Sequence, residues 1–274
     1  MLSKNKIINY IEVRHLSDGG YYFAGIEPSS GADTFFAVKI LSMLGTKPKD
    51  PESIKKFLEE NVALTDIHGL YFTLETLVGL GYDIGRYRHY TGILDREKNK
   101  DGGFGITGEK YVEVTSDLAT TYEAIVVAKY LDYQLNKESL KTFILSFQNM
   151  DGGFGSGRHS LLSTTYYAVS CLDRLNLLSS VEKDKVIRYL RGVEVKMKHY
   201  FLEDLFYLMM SLFVFGQRVS NTQKAFEFVY NCWRSDNGGF KRSPIIGIST
   251  FEDTFYAVTI LKKLEQNGVK VFSD

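Results

Sequence analysis

Gln148-Asn149-Met150-Asp151-Gly152-Gly153-Phe154-Gly155 is not unique in this chain. Its core returns as Asp101-Gly102-Gly103-Phe104-Gly105, and looser copies read Asp18-Gly19-Gly20-Tyr21 and Asn237-Gly238-Gly239-Phe240. Each copy leads into a polar loop and then an apolar segment. A turn that recurs every few tens of residues marks a stack of similar units, none of which can bury its apolar face alone.

The apolar segments align with one another without gaps. Asp33-Thr34-Phe35-Phe36-Ala37-Val38, Thr164-Thr165-Tyr166-Tyr167-Ala168-Val169 and Asp253-Thr254-Phe255-Tyr256-Ala257-Val258 are the clearest. Weaker copies start at Gly69, Thr120 and Asp204. Starts at 33, 69, 120, 164, 204 and 253 give intervals of 36, 51, 44, 40 and 49, so the variation lies in the loops. Segments apolar on nearly all sides suit buried inner helices. The Asp or Thr at a start is expected to cap its helix, and Gly45, Gly81 and Gly216 are stop signals. A second, amphipathic helix type is expected over 51–60, 137–147, 181–191 and 222–233. In the second of these Leu140, Phe143, Ile144 and Phe147 share one face.

Six such pairs amount to about twelve helices. An open stack of repeats needs polar end caps, yet the terminal units here are as apolar as the central ones. Closure into a ring removes the ends, so the expected fold is an all-α (α/α)6 toroid, one domain spanning 1–274. The composition allows this: 274 residues, 44% hydrophobic, with 19 Phe and 18 Tyr. Formal net charge is zero, which gives no electrostatic footprint for nucleic acid. No apolar run reaches the ~18 residues of a membrane span. The start of the chain is polar and carries no signal-peptide pattern. Cys171 and Cys232 form neither a disulfide framework nor a Cys-x-x-Cys pair, so a reducing, cytoplasmic setting is expected.

The helix of Leu140 to Phe147 followed by the turn of Gln148 to Gly155 resembles the repeat of terpenoid cyclases. The inner-helix pattern is similar to that of protein prenyltransferase β subunits. The resemblance covers roughly residues 5–268. It implies the toroid, a cavity for an isoprenoid or similar apolar chain, and in the prenyltransferase case a helical partner subunit. The repeated glycines belong to the scaffold: no Gly-Lys-Ser/Thr follows them, as a phosphate loop requires.

In the resembling families the inner-helix starts converge on one mouth. Here those starts carry Asp33, Gly69, Thr120, Thr164, Asp204 and Asp253, preceded by His68, Glu203 and Glu252 in three units. Two residues further on stand Phe35, Tyr71, Tyr122, Tyr166, Phe206 and Phe255, an aromatic ring that would hold an apolar chain or a carbocation. Zinc-dependent prenyltransferases use an Asp-x-Cys and a His at two late starts. This chain offers Asp204-Leu205-Phe206 and Asp253 there, so two of three ligands are replaced and zinc is not expected. The remaining carboxylates suit Mg2+ or Ca2+ better than zinc. Protonation-initiated cyclases use Asp-x-Asp-Asp, against which Thr250-Phe251-Glu252-Asp253 puts Glu252 at the acid. Asp204, Glu252, Asp253 and His68 are therefore the candidate catalytic groups, with helix caps and solvated side chains as the plain alternative. Arg86 and Arg88 are candidate diphosphate ligands on a basic, Tyr-interleaved loop, or else part of a solvated connector running to residue 100. The functional expectation is a prenyltransferase- or cyclase-like protein for an isoprenoid. The alternative is a toroid without catalysis that binds an apolar ligand or a protein.

Overall fold

The computed structural model describes residues 1–105, 116–196 and 201–273. Six helices form an inner layer: α2 (Gly31–Met43), α4 (Ile67–Leu80), α6 (Leu118–Tyr130), α8 (Leu162–Arg174), α10 (Leu202–Val214) and α12 (Phe251–Gln266). Six more lie outside them: α1 (Lys4–Glu12), α3 (Pro51–Asn61), α5 (Thr91–Glu97), α7 (Lys137–Leu145), α9 (Lys183–Lys196) and α11 (Thr222–Cys232). Each inner helix packs on the next, and α12 packs on α2, so the inner layer closes on itself. The termini complete the closure. Leu2 pairs with Phe272, its N–H donating to the Val271 carbonyl at 3.0 Å. The expected all-α toroid is the observed fold, and each inner helix begins two residues before the aligned start.

The recurring turn shows how the ring is assembled. Gly19, Gly102, Gly152 and Gly238 all have positive φ, near +90°, a conformation that side chains disfavour. Each also presses against the following outer helix. A Cβ on Gly152 would lie 2.5 Å from the Lys185 carbonyl of α9, and one on Gly238 would lie 2.2 Å from the Lys6 carbonyl of α1. The last turn thus grips the first helix. The aromatic residue after each Gly pair is fully buried, and its N–H donates to a threonine of the next inner helix: Tyr21 to Thr34, Phe104 to Thr121, Phe154 to Thr165, Phe240 to Thr254. A buried N–H without a partner would cost about 1–3 kcal/mol. The threonine beside each start is therefore a structural latch.

Two local expectations are corrected. The capping oxygens do not come from Asp33, Thr120 or Asp253. They come from residues three positions earlier, Ser30, Asp117 and Thr250, each accepting from the N–H of the expected cap. A cap has extended backbone geometry and stands outside the helix, whereas Asp33 is already helical. The stretch before residue 100 is also no simple connector. Gly85–Tyr90 is a 3-10 turn, and α5 follows as an outer helix. Its Glu97 is 2% exposed and accepts from the N–H of Ile67 at 3.2 Å. That contact anchors α4, whose unit has no Gly-Gly turn.

Candidate functional site

A helix that starts in register with its neighbours brings equivalent residues to the same height. The six residues four positions into each inner helix, two past the aligned starts, form a closed circle. Ring centroids are 5.6 Å apart for Phe35–Tyr71, 6.4 Å for Tyr71–Tyr122 and 6.4 Å for Tyr122–Tyr166. The circle continues at 5.4 Å for Tyr166–Phe206, 6.0 Å for Phe206–Phe255 and 6.2 Å for Phe255–Phe35. These are tilted or edge-on contacts, the favoured geometry for aromatic pairs.

The next position supplies a second layer that the sequence reading passed over: Phe36, Phe72, Glu123, Tyr167, Tyr207 and Tyr256. The signal was available, since that column is aromatic in every unit except the third. Together the two layers line a pocket of about 220 Å³, with His68 and Glu252 completing its wall. All six inner helices contribute. His68 and Glu252 each precede an aligned start and lie one helical turn from the second layer. The His68 ring meets Phe72 edge-on at 4.4 Å, and its Nδ1 lies 3.1 Å from the Glu123 carboxylate. The Tyr256 hydroxyl donates to Glu252 at 2.8 Å. Tyr256 is also hydrogen-bonded to Tyr207, and Tyr207 to Tyr167, so a chain of hydroxyls runs round one side of the wall from Glu252.

Of the candidates from sequence, His68, Tyr71, Tyr122, Tyr166, Phe206, Glu252 and Phe255 come together in this wall. Asp204 and Asp253 stand in the first turns of α10 and α12 but are not among the lining residues. Arg86 and Arg88 are elsewhere. Arg86 pairs with Glu59 and Arg88 with Asp132, and neither lines the pocket.

Burial decides the acidity of these groups. It pushes the carboxyls of Asp33 and Asp253 up to about 6, with the neighbouring Glu252 charge adding to both, and it also raises Asp204. Hydrogen bonding to Glu123 raises His68. Burial pushes up the phenols of Tyr71, Tyr122 and Tyr166, which therefore remain neutral donors. Further along the inner helices a polar set joins α2, α4, α6 and α8: Lys39 pairs with Glu75, the Tyr130 hydroxyl donates to Glu75 at 2.5 Å, and Arg174 donates to the Tyr122 hydroxyl at 2.7 Å.

The ring of Phe206 is 4.7 Å from that of Tyr256. Among the described residues no three His, Cys, Asp or Glu side chains are grouped closely enough to hold a metal ion. Cys171 and Cys232 are both buried free thiols. Among the described residues no helix is long and apolar enough to cross a membrane.

Comparison with solved structures places the fold. Protein geranylgeranyltransferase-I from Candida albicans, in complex with GGPP, superposes with a TM-score of 0.70 at 16% identity, covering 96% of this chain and 91% of that one. A type II terpene cyclase from Scytonema, in complex with its substrate geranylgeranyl dihydroxybenzoate, gives a TM-score of 0.62 at 12% identity, covering 96% and 95%. No curated protein matches the sequence. The profile of the prenyltransferase alpha-alpha toroid domain matches residues 2–65 and 56–268, and the chain belongs to that family.

Proposed function

We propose that this protein is a prenyltransferase- or cyclase-like toroid, acting as one domain, that holds an isoprenoid or similar apolar molecule in the aromatic pocket and acts on it as an enzyme. The observation that carries this reading is the unbroken circle of Phe35, Tyr71, Tyr122, Tyr166, Phe206 and Phe255, with Glu252 at its edge. Apolar walls remove a chain from water, and ring faces stabilise positive charge that develops on it. Glu252 is the catalytic carboxyl group, linked to the Tyr256–Tyr207 hydroxyls. Asp253 and Asp204 supply negative charge beside it, and His68 with Glu123 is the base on the opposite side. Arg86 and Arg88 take no part. Zinc is not used: Asp204, Phe206 and Asp253 do not make a zinc donor set. Mg2+ is the metal to test, because the donors at the starts are carboxylates. A reducing, cytoplasmic setting fits the two free thiols.

The pocket is small. At about 30 Å³ per water-sized group it takes on the order of seven such groups, so it houses the reacting end of a molecule and not a folded long chain. This size, and the nearly complete burial of Phe206, favour a second reading in which the toroid binds its apolar ligand or a protein partner without turnover. Mass spectrometry of lipid extracted from the purified protein, followed by incubation with short-chain isoprenoids and product analysis, separates the two. The enzymatic reading expects product with the native chain and a loss of at least about a hundredfold in Glu252→Gln. Binding without product in the native chain, with or without Mg2+, would leave the second reading. Absence of any bound or binding apolar ligand would end both ligand readings.

A further inference from the structure

The charges in the pocket wall favour one kind of head group. Glu123 and Glu252 are the carboxylates among the lining residues, and no lysine or arginine lines the pocket among the described residues. Asp33 and Asp253 stand just behind the wall at adjoining helix starts, close enough for the charge of Glu252 to raise both. Among the described residues four bases lie near: His68 faces Glu123, Arg242 is bound to Glu203 while its field also reaches Asp204 and Asp253, Lys39 lies 5.5 Å from the Phe35 ring and is paired with Glu75, and Arg174 donates to the Tyr122 hydroxyl at 2.7 Å with the charge of Glu75 close by. Glu252 is contacted by a hydroxyl, that of Tyr256.

The remaining wall is made of aromatic rings, whose faces carry partial negative charge and attract cations. A narrow well with apolar walls and carboxylates focuses a negative potential. A diphosphate entering it would lose water and find one base in the described wall, His68, already engaged by Glu123. An ammonium group would meet ring faces and an acidic side chain.

We propose that the pocket takes an organic ammonium head group, the positively charged end of an amine of about six or seven non-hydrogen atoms, seated on the aromatic circle against Glu252. This rests on the reading that the pocket is the ligand site. It assigns the ligand's charge, which that reading leaves open.

Three ligands with one five-carbon tail test it: 3-methylbut-2-enylamine, 3-methylbut-2-en-1-ol and 3-methylbut-2-enyl diphosphate, titrated calorimetrically into the full chain at pH 7.5. The amine is protonated there, since alkylammonium groups titrate near 10. The expected result is an amine bound at least about tenfold more tightly than the alcohol, with the diphosphate weakest. Added salt should weaken the amine and leave the alcohol unchanged. Glu252→Gln should remove most of the amine's advantage over the alcohol, with thermal unfolding reporting that the variant is folded.

Equal affinities for amine and alcohol would overturn the charge assignment and leave the apolar-ligand reading standing. So would tightest binding of the diphosphate. Binding of none of the three would overturn both, and because the native series requires no variant, a misfolded Glu252→Gln protein would not rescue the proposal.

Discussion

Single residues in this protein divide into those that hold the ring and those that face the pocket. The threonines beside the helix starts belong to the first group. Thr34, Thr121, Thr165 and Thr254 each accept from a buried N–H and donate to a carbonyl four residues back. Asp33 is a residue-scale case with a measurable sign. Its carboxyl lies at about 6, raised mainly by burial, against an ordinary value of 3.8. Between those values the folded state holds a proton that the unfolded chain has released. Asp33 therefore lowers stability as pH rises through that window, and the penalty is fully present at pH 7 and above. The site is partly solvated, so the effect is of order 1 kcal/mol. Asp33→Asn should unfold at a higher temperature than the native chain at pH 7.5, with the difference vanishing near pH 4. Thermal unfolding at both pH values checks this, and an unchanged difference would show that the gain is not electrostatic.

At the scale of elements, the inner helices differ in how they begin. Ser30, Asp66, Asp117 and Thr250 cap α2, α4, α6 and α12 with side-chain oxygens. At α8 and α10 the equivalent positions are Leu161 and Phe201, and neither makes a side-chain cap. Leu161 already has the extended backbone of a cap residue and is 53% exposed, so it contributes little burial. Leu161→Asp should supply the missing acceptor and a favourable charge at the helix start, raising stability by about 1 kcal/mol. Urea unfolding measures it. A loss of stability would mean that Leu161 is covered by residues in contact with it in solution.

The whole molecule depends on its seam. α1 is the outer helix on which the last turn closes, through the approach of Gly238 to Lys6. Tyr10 of α1 also packs edge-on against Phe251 of α12 at 5.5 Å. Deleting residues 1–12 should leave that turn and the start of α12 uncovered while the other five outer helices keep their partners. The expected outcome is a fall of several kcal/mol in unfolding free energy, in line with the loss of several buried side chains at about 1.5–3 kcal/mol each. Prenyl-ligand binding should weaken, because Glu252 and Phe255 stand on the helix that loses support. Hydrogen exchange would locate the opened region, and protection lost uniformly round the ring would argue that closure is not localised at this seam.

The sequence alone determined the repeat, the register of the inner helices and the aromatic circle. These follow from local patterns: a Gly-Gly turn needing positive φ, an apolar segment with its own start, and one column that is aromatic throughout. It did not determine which polar residues meet. Glu123 joins His68 across 55 positions, and Arg86 turns away to Glu59, because helix rotation and loop path set these pairings. The size of the pocket was likewise settled by packing. How far rings from six helices reach toward a common axis depends on the radius at which the outer helices and the seam hold the inner ones.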